Sequence, residues 1–180
     1  QGGYHGRTLL TLAMTGKVLP SKASFGPMPG DVFHTRFPIS YHGFDEDAAM
    51  AGLRALFAAT IEPEAVAAIV LEPVLGEGGF YNASYAFFKA LRALCDEHGI
   101  LLIADEVQSG FARTGRMFAM DWVAAETGVK PDLMTIAKAM AGGFPISGVM
   151  GRAELMDAPG PGGLGGTYGG NPVACAAALG

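Results

Sequence analysis

Two short, almost uninterrupted apolar runs constrain the fold of this chain more than any other feature. Residues 66–74 read VAAIVLEPV and residues 100–105 read ILLIAD, and an acidic residue stands at or near the end of each run. Runs of this length without polar alternation are typical of parallel strands that are covered on both faces. The two segments are therefore predicted to be neighbouring strands of a buried parallel sheet.

The segment between these runs has the pattern of an amphipathic helix. Over residues 84–98, Ser84 is a candidate N-cap and Gly99 follows the last predicted turn. A second helical stretch near 117–127 leads to another apolar segment, 133–137. Strands that alternate with helices predict a doubly wound α/β domain. The apolar face of the first helix is predicted to consist of Phe87, Phe88, Leu91, Leu94 and Cys95.

Two segments rich in glycine interrupt this alternation. Residues 16–44 show no clean period and are predicted to form a long surface loop. Residues 159–171 read PGPGGLGGTYGGN and precede a helical pattern. Because this second segment contains a threonine, a tyrosine and an asparagine among its glycines, it is predicted to be a turn that contacts a ligand.

The composition excludes several kinds of partner. The chain has 17 acidic and 12 basic residues among 180 and a net charge of −5 without a basic stripe, so we expect neither nucleic acid nor an anionic membrane as a partner. No apolar stretch reaches the length of a bilayer span, and the first residues do not form a signal peptide. We therefore expect a soluble, cytoplasmic protein.

The two cysteines are predicted to be small core residues. Cys95 and Cys175 lie eighty residues apart in the chain and lack histidine or cysteine neighbours at metal-ligand spacing. This usage suits a reducing compartment, and no metal site is expected. The chain begins without methionine and stops after an alanine-rich run, from which we predict that it is a fragment of a longer protein.

Charged residues follow each of the three predicted strands. Glu72, Asp105 and Glu106 end the first two, and Lys138 comes directly after the third. In an open parallel sheet the binding crevice lies at the carboxyl ends of the strands, so a carboxylate and an amine are predicted to converge there. Asp105 is equally compatible with a helix cap or a turn.

Lys138 has two interpretations. It can be an ordinary surface lysine, or it can be held among its apolar sequence neighbours, where its charged form is disfavoured. An unprotonated amine is the form that bonds to an aldehyde cofactor as a Schiff base. The second interpretation predicts a buried, reactive amine.

Five segments resemble a known family of enzymes. The segments YHGRT (4–8), EPVLGEGGF (72–80), DEVQSGFARTG (105–115), TIAKAMAGGFP (135–145) and GGTYGGNP (165–172) are similar, in order and in spacing, to signature segments of the class III aminotransferases. The glycines of GEGG do not match the dinucleotide fingerprint, which sets aside a nicotinamide-binding Rossmann domain.

The resemblance implies a fold, a domain and a cofactor. It implies the fold type I of pyridoxal-phosphate-dependent transferases, with helices covering a mostly parallel central sheet. Residues 1–180 would then be the central part of the large, cofactor-binding domain. The N-terminal segment and the C-terminal small domain would lie outside this chain.

The resemblance also implies the two catalytic residues. Lys138 would bond to pyridoxal phosphate and, once freed by the substrate amine, would move a proton to and from the substrate carbon. Asp105 would pair with the pyridine nitrogen and keep it protonated, so that the ring can accept electrons.

Five further residues resemble the cofactor contacts of the family. Gln108 resembles the donor to the phenolic oxygen, Val107 and Tyr4 the pair that sandwich the ring, and His5 a more distant neighbour. Core packing is the alternative for Tyr4 and Val107. Thr167 resembles the hydroxyl that reaches the phosphate of the neighbouring subunit, which implies a homodimer with shared active sites.

Three residues resemble the substrate contacts of the family. Arg7 is similar to the arginine that grips the carboxylate of an ω-amino acid, and Glu77 to the glutamate that pairs with a downstream arginine. Glu72 is similar to an active-site carboxylate that positions the substrate, with a structural salt bridge as its alternative. Leu75 departs from the glutamine expected in this segment.

The implied reaction is a ping-pong transamination. Within the class the chain is most similar to 4-aminobutyrate aminotransferases, which implies amino transfer from 4-aminobutyrate to 2-oxoglutarate with succinate semialdehyde and glutamate as products. An acetylornithine, ornithine or other class III ω-aminotransferase is the alternative. A non-catalytic domain that binds a metabolite or a partner protein is a remote one.

Overall fold

A mixed four-stranded sheet forms the centre of the protein in a computed structural model that describes residues 1–180. The strands, in chain order, are β1 (Ala68–Leu71), β2 (Val74–Leu75), β3 (Tyr81–Asn82), β4 (Leu101–Asp105), β5 (Leu133–Ile136) and β6 (Gly148–Gly151). The central sheet has the order β1-β4-β5-β6, while β2 and β3 form a separate hairpin. The first three strands of the central sheet are parallel and β6 is antiparallel. The prediction that the two apolar runs are parallel neighbours is confirmed.

Six α-helices accompany the sheet. They are α1 (Leu9–Met14), α2 (Glu46–Ala59), α3 (Tyr85–His98), α4 (Met120–Thr127), α5 (Ala153–Met156) and α6 (Pro172–Leu179). Short 3-10 helices occur at Ser40–His42, Pro63–Ala65 and Lys138–Ala141. None of the helices combines the length and the apolar composition that are needed to cross a bilayer.

Helix α3 forms as its sequence predicts. The Ser84 side chain accepts a hydrogen bond from the Phe87 N–H at 3.1 Å, and Gly99 ends the helix in the left-handed conformation at φ 69°. The buried side chains are the five that the helical period selects. They join residues of α2, α4 and β4 in one hydrophobic cluster, so α3 packs against one face of the sheet.

Two details of the first predicted strand are wrong. The run 66–74 is not one strand, because β1 ends at Leu71 and Pro73, which has no N–H for a sheet ladder, precedes the β2–β3 hairpin. The strand is also not covered on both faces. Its first three residues are only half buried, because an apolar cavity of about 670 Å³ lies between β1, α2 and residues 31–37.

The remaining predictions of local structure hold with shifted ends. Helix α4 begins at Met120 instead of residue 117, and residues 16–44 form an extended loop apart from one 3-10 helix. The sequence reasoning missed α1, α2, α5, β3 and β6. For α2 a signal was present, because the Asp45 side chain accepts from the Ala48 N–H at 2.9 Å as an N-cap.

A buried charge cluster joins the amino-terminal edge of the sheet to α3 and β6. Asp132 accepts hydrogen bonds from Arg92 Nη1 at 2.7 Å, from Arg152 Nη1 at 2.9 Å and from the Leu102 N–H at 2.8 Å. Burial alone would raise the pKa of Asp132, but these three donors outweigh it and the pKa is lowered. The carboxylate is therefore a structural anion.

Candidate active site

The carboxyl-terminal edge of the sheet brings together the charged residues that follow the strands. Because β1, β4 and β5 are parallel neighbours, Glu72, Asp105 and Lys138 all lie at this edge. The placement of carboxylates and an amine at one edge agrees with the prediction, but the cavity that Lys138 lines includes neither Asp105 nor Glu72. Their surroundings differ.

Asp105 is buried and is held by neutral donors and one histidine. Its Oδ2 lies 2.7 Å from Nδ1 of His5, and its Oδ1 accepts from Thr135 Oγ1 at 3.0 Å and from the Val107 N–H at 3.2 Å. An ionised carboxylate only accepts, so Nδ1 of His5 carries the proton in this contact. The bond to Val107 is also the turn interaction that the alternative interpretation expects. No arginine or lysine pairs with Asp105.

Lys138 begins the 3-10 helix after β5 with φ 50°, a conformation that is uncommon for residues with side chains. Its side chain is exposed. The expectation that apolar neighbours bury this amine is therefore wrong for this chain, because Lys138 is exposed although its sequence neighbours are apolar. The strained backbone marks Lys138 as a residue whose position other contacts determine.

Lys138, Val107 and Gln108 line one cavity of about 430 Å³, together with residues of the hairpin and of the loop after β4. Gly76 lies close behind Gln108. A methyl group built on Gly76 would lie 2.7 Å from Nε2 of Gln108, so this amide occupies space that any larger residue would fill. The glycine of the GEGG segment therefore permits a close approach of backbone to side chain.

The segment that carries Tyr4 and His5 is fixed at three points. The Tyr4 N–H donates to Glu72 Oε1 at 2.6 Å, and the His5 N–H donates to Thr15 Oγ1 at 3.1 Å. The bond between the His5 ring and Asp105 is the third. These contacts attach the N-terminal segment to the ends of β1 and β4.

Glu72 and Glu106 are both buried carboxylates whose oxygens are occupied. Glu72 is 2% exposed, and its Oε2 accepts from the Gly76 N–H at 2.6 Å. Glu72 makes no salt bridge within this chain. Glu106 accepts from the Ala119 and Met120 N–H groups at 3.1 and 2.7 Å, which caps the start of α4. Glu106 is therefore structural.

The remaining predicted residues are open to solvent. The guanidinium of Arg7 lies 5.9 Å from the centre of the Tyr4 ring, and Glu77 lies 3.9 Å from the amine of Lys17. Thr167 lies in the exposed loop between α5 and α6 and does not line the cavity that contains Lys138. The three side chains are thus free to meet ligands or further protein.

Sequence reasoning missed two residues of this edge, Thr135 and Gly76. Thr135 faces Asp105 in the parallel register of β4 and β5, so the pairing of these strands was the signal that could have identified it. The role of Gly76 depends on a side chain 32 positions further along the chain, and no local pattern reports such a contact.

The fold and the site agree with the comparisons with known proteins. The chain matches the family "Aminotransferase class-III" over residues 1–180. It is 61% identical to the 4-aminobutyrate aminotransferase of Escherichia coli (strain K12) and 59% identical to a 5-aminovalerate aminotransferase of Pseudomonas putida, each over 99% of this chain and 41% of the relative. The chain therefore spans about two fifths of the length of these relatives.

A solved structure of the ornithine aminotransferase from Toxoplasma gondii, which has partial occupancy of PLP at its active site, superimposes with a TM-score of 0.81. The two proteins are 34% identical over 99% of this chain and 38% of that one. The mostly parallel sheet of this chain thus has the fold type I of pyridoxal-phosphate-dependent transferases. This chain belongs to the class III aminotransferase family.

Proposed function

We propose that the protein containing this chain is a pyridoxal-phosphate-dependent aminotransferase that transfers the amino group of 4-aminobutyrate, or of a similar ω-amino acid, to 2-oxoglutarate. The products would be succinate semialdehyde and glutamate. The observation that carries the proposal is the placement of Asp105 and Lys138 at one sheet edge, within the family that the chain belongs to.

The residues of this edge fit pyridoxal phosphate. When bound, this cofactor supplies an aldehyde that bonds to amines and a ring that accepts the electrons of a deprotonated carbon. Asp105 is a buried carboxylate without a lysine or arginine partner, which suits a protonated pyridine nitrogen. The exposed amine of Lys138 suits an aldehyde that arrives from solvent.

The catalytic roles follow from these positions. Nζ of Lys138 would take the proton from the substrate carbon that bears the amine and return it at the next step. Asp105 would hold the proton on the ring nitrogen. His5 and the Thr135 hydroxyl hold the Asp105 carboxylate in a single orientation.

The contacts to the cofactor and the substrate are proposals of the same kind. Gln108 would donate to the phenolic oxygen, and Val107 and Tyr4 would lie against the two ring faces. Arg7, exposed at the end of the Tyr4 segment, would bind the distal carboxylate of the substrate. Glu77 would pair with an arginine outside this chain.

The larger assembly is inferred as well. We assign residues 1–180 to the central part of the cofactor-binding large domain, with an N-terminal segment and a small domain elsewhere in the protein. Thr167 in its exposed loop would reach the phosphate in a neighbouring subunit, which makes a homodimer the smallest active form. A cytoplasmic location is proposed from the charge and cysteine usage.

5-Aminovalerate is the second candidate donor. The relatives named for 4-aminobutyrate and for 5-aminovalerate are 61% and 59% identical to this chain, and their substrates differ by one methylene. One methylene changes binding by about 1 to 3 kcal/mol in a well-fitting pocket. An ornithine-type donor, favoured by the structural neighbour, remains the alternative reaction.

The test is made on the full-length protein, with Lys138→Ala and with Lys89→Ala as a control for an exposed lysine on α3. Wild type and the control are expected to bind pyridoxal phosphate with a visible absorbance band that 4-aminobutyrate bleaches, and Lys138→Ala is expected to show no turnover. If only ornithine-type amines bleach the band, the substrate proposal is wrong. If no band forms, the protein is the non-catalytic binder of the remote alternative.

A further inference from the structure

We propose that Glu72 is a positioning residue that does not contact substrate. It would set the distance between two backbone segments, the one that carries Tyr4 and the one that carries Gly76, against which Gln108 packs. The inference rests on the proposed function, because it concerns the two sides of the same site. It assigns the carboxylate a role in holding the cofactor residues in place.

The first support is the environment of the carboxylate. Glu72 is 2% exposed and makes no salt bridge. It does not line the cavity that contains Lys138, and lies instead at the wall of the separate, mostly apolar cavity of about 670 Å³. Its Oε1 and Oε2 each accept one backbone N–H at 2.6 Å, from Tyr4 and from Gly76. Hydrogen bonds to a charged acceptor are short and strong, so one side chain connects two segments that are 72 positions apart in the chain.

The second support is that each of the two bonded backbone segments contacts a residue of the site. On one side Tyr4 is followed by His5, whose ring bonds to Asp105 at 2.7 Å. On the other side Gly76 has so little room beside Gln108 that a single added methyl group would lie 2.7 Å from its amide nitrogen. A displacement of either backbone segment is therefore transmitted directly to a residue of the site.

The substitution Glu72→Gln isolates this role because it preserves the size of the side chain. The glutamine oxygen can accept one of the two N–H groups, but its NH₂ group meets the other, which leaves a buried donor without a partner. An unsatisfied buried donor is unfavourable because it has lost its hydrogen bond to water without gaining another. We expect the dissociation constant for pyridoxal phosphate to rise about tenfold or more, a change that corresponds to about 1.4 kcal/mol.

The kinetic pattern separates positioning from substrate contact. Because Tyr4 and Gln108 would serve both half-reactions, the single-turnover rate constants with 4-aminobutyrate and with 2-oxoglutarate are expected to fall by a similar factor, while neither KM changes much. A residue that contacts substrate would instead raise one KM and leave the affinity for the cofactor unchanged.

The experiment compares wild type, Glu72→Gln and Glu97→Gln, an exposed control on α3, in the full-length protein. It measures cofactor affinity, both kinetic constants, and hydrogen exchange of the cofactor-free protein. In Glu72→Gln alone, exchange is expected to rise together in residues 3–5 and 74–78. Unchanged exchange in either segment, or an effect confined to one KM, overturns the proposal.

A second variant covers the case in which Glu72→Gln does not fold. Gly76→Ala leaves the carboxylate intact and pushes directly on Gln108, so the proposal requires a similar loss of cofactor affinity; full affinity in this variant overturns it. If wild type itself does not bind pyridoxal phosphate, the proposed function fails, and the exchange comparison still decides the positioning role.

Discussion

Two aspartates at opposite edges of the same sheet are buried to a similar degree and are paired in different ways. Asp132 at the amino edge binds Arg92 and Arg152, whereas Asp105 at the carboxyl edge contacts no arginine or lysine and has His5 as its only ionisable partner. A carboxylate that is saturated by permanent cations holds secondary structure together. A carboxylate that is held by neutral donors can still pair with a cation that arrives with a ligand.

The neighbours of the two aspartates explain the difference. The partners of Asp132 come from α3, from β4 and from Arg152, which lies between β6 and α5, so this residue joins three parts of the fold. The partners of Asp105 are Thr135 on the neighbouring strand β5, Val107 in the turn that follows Asp105, and His5 in the N-terminal segment. Substitution of Asp132 is therefore expected to lower the free energy of unfolding, and substitution of Asp105 is expected to lower the catalytic activity.

The largest effect is expected from Asp105→Asn. The amide keeps the shape of the side chain but cannot hold a proton on a pyridine nitrogen, so kcat is expected to fall on the order of 10³-fold. The midpoint of urea unfolding of the cofactor-free protein should change little. Steady-state kinetics and urea titration measure both quantities. A variant that retains kcat would show that Asp105 is only the turn residue of the alternative interpretation.

The reverse pattern is expected from Asp132→Asn. Removing the Asp132 carboxylate leaves Arg92 with only the exposed Asp96 as an ion-pair partner and Arg152 with only the exposed Glu154, and about 2 kcal/mol of unfolding free energy should be lost. The protein that remains folded should keep its kcat. Asp157→Asn, an exposed substitution in the same half of the chain, serves as the control and should change neither quantity.

The pH dependence of unfolding sharpens this prediction. Because the pKa of Asp132 is lowered in the folded protein, its contribution to stability is present above the unfolded pKa, near 3.9, and is lost as the pH falls through the folded pKa. The difference in unfolding free energy between wild type and Asp132→Asn should therefore shrink as the pH is lowered through this acid range. If this difference in unfolding free energy were the same at all pH values, Asp132 would not be a structural anion.

The smallest effect is expected at Thr135, whose hydroxyl donates to Asp105 at 3.0 Å. Thr135→Val removes this donor and should lower kcat by about fivefold, since a hydrogen bond to a charged group contributes on the order of 1 kcal/mol or more. Thr135→Ser should restore most of the activity because it retains the hydroxyl. Equal losses in both variants would indicate a packing effect.

Much of the local structure could be predicted because its causes are local. The N-cap, the apolar period and the terminal glycine of α3 lie within sixteen residues, and the structure reproduces each of them. The convergence of Asp105 and Lys138 followed from the direction of two parallel strands. The sequence reasoning failed where Pro73 separates β1 from β2 and where Lys138 is exposed despite its apolar sequence neighbours.

The sequence by itself determined the strand and helix alternation, the family and the edge of the sheet at which the charged residues meet, because these depend on periodicity and on short motifs. Only the tertiary structure decided which carboxylates are saturated. Asp132 is separated from Arg92 by 40 positions and Asp105 from His5 by 100, and burial and pairing at such distances arise when the chain folds. The same amino acid is thereby a structural anion at one edge and an available one at the other.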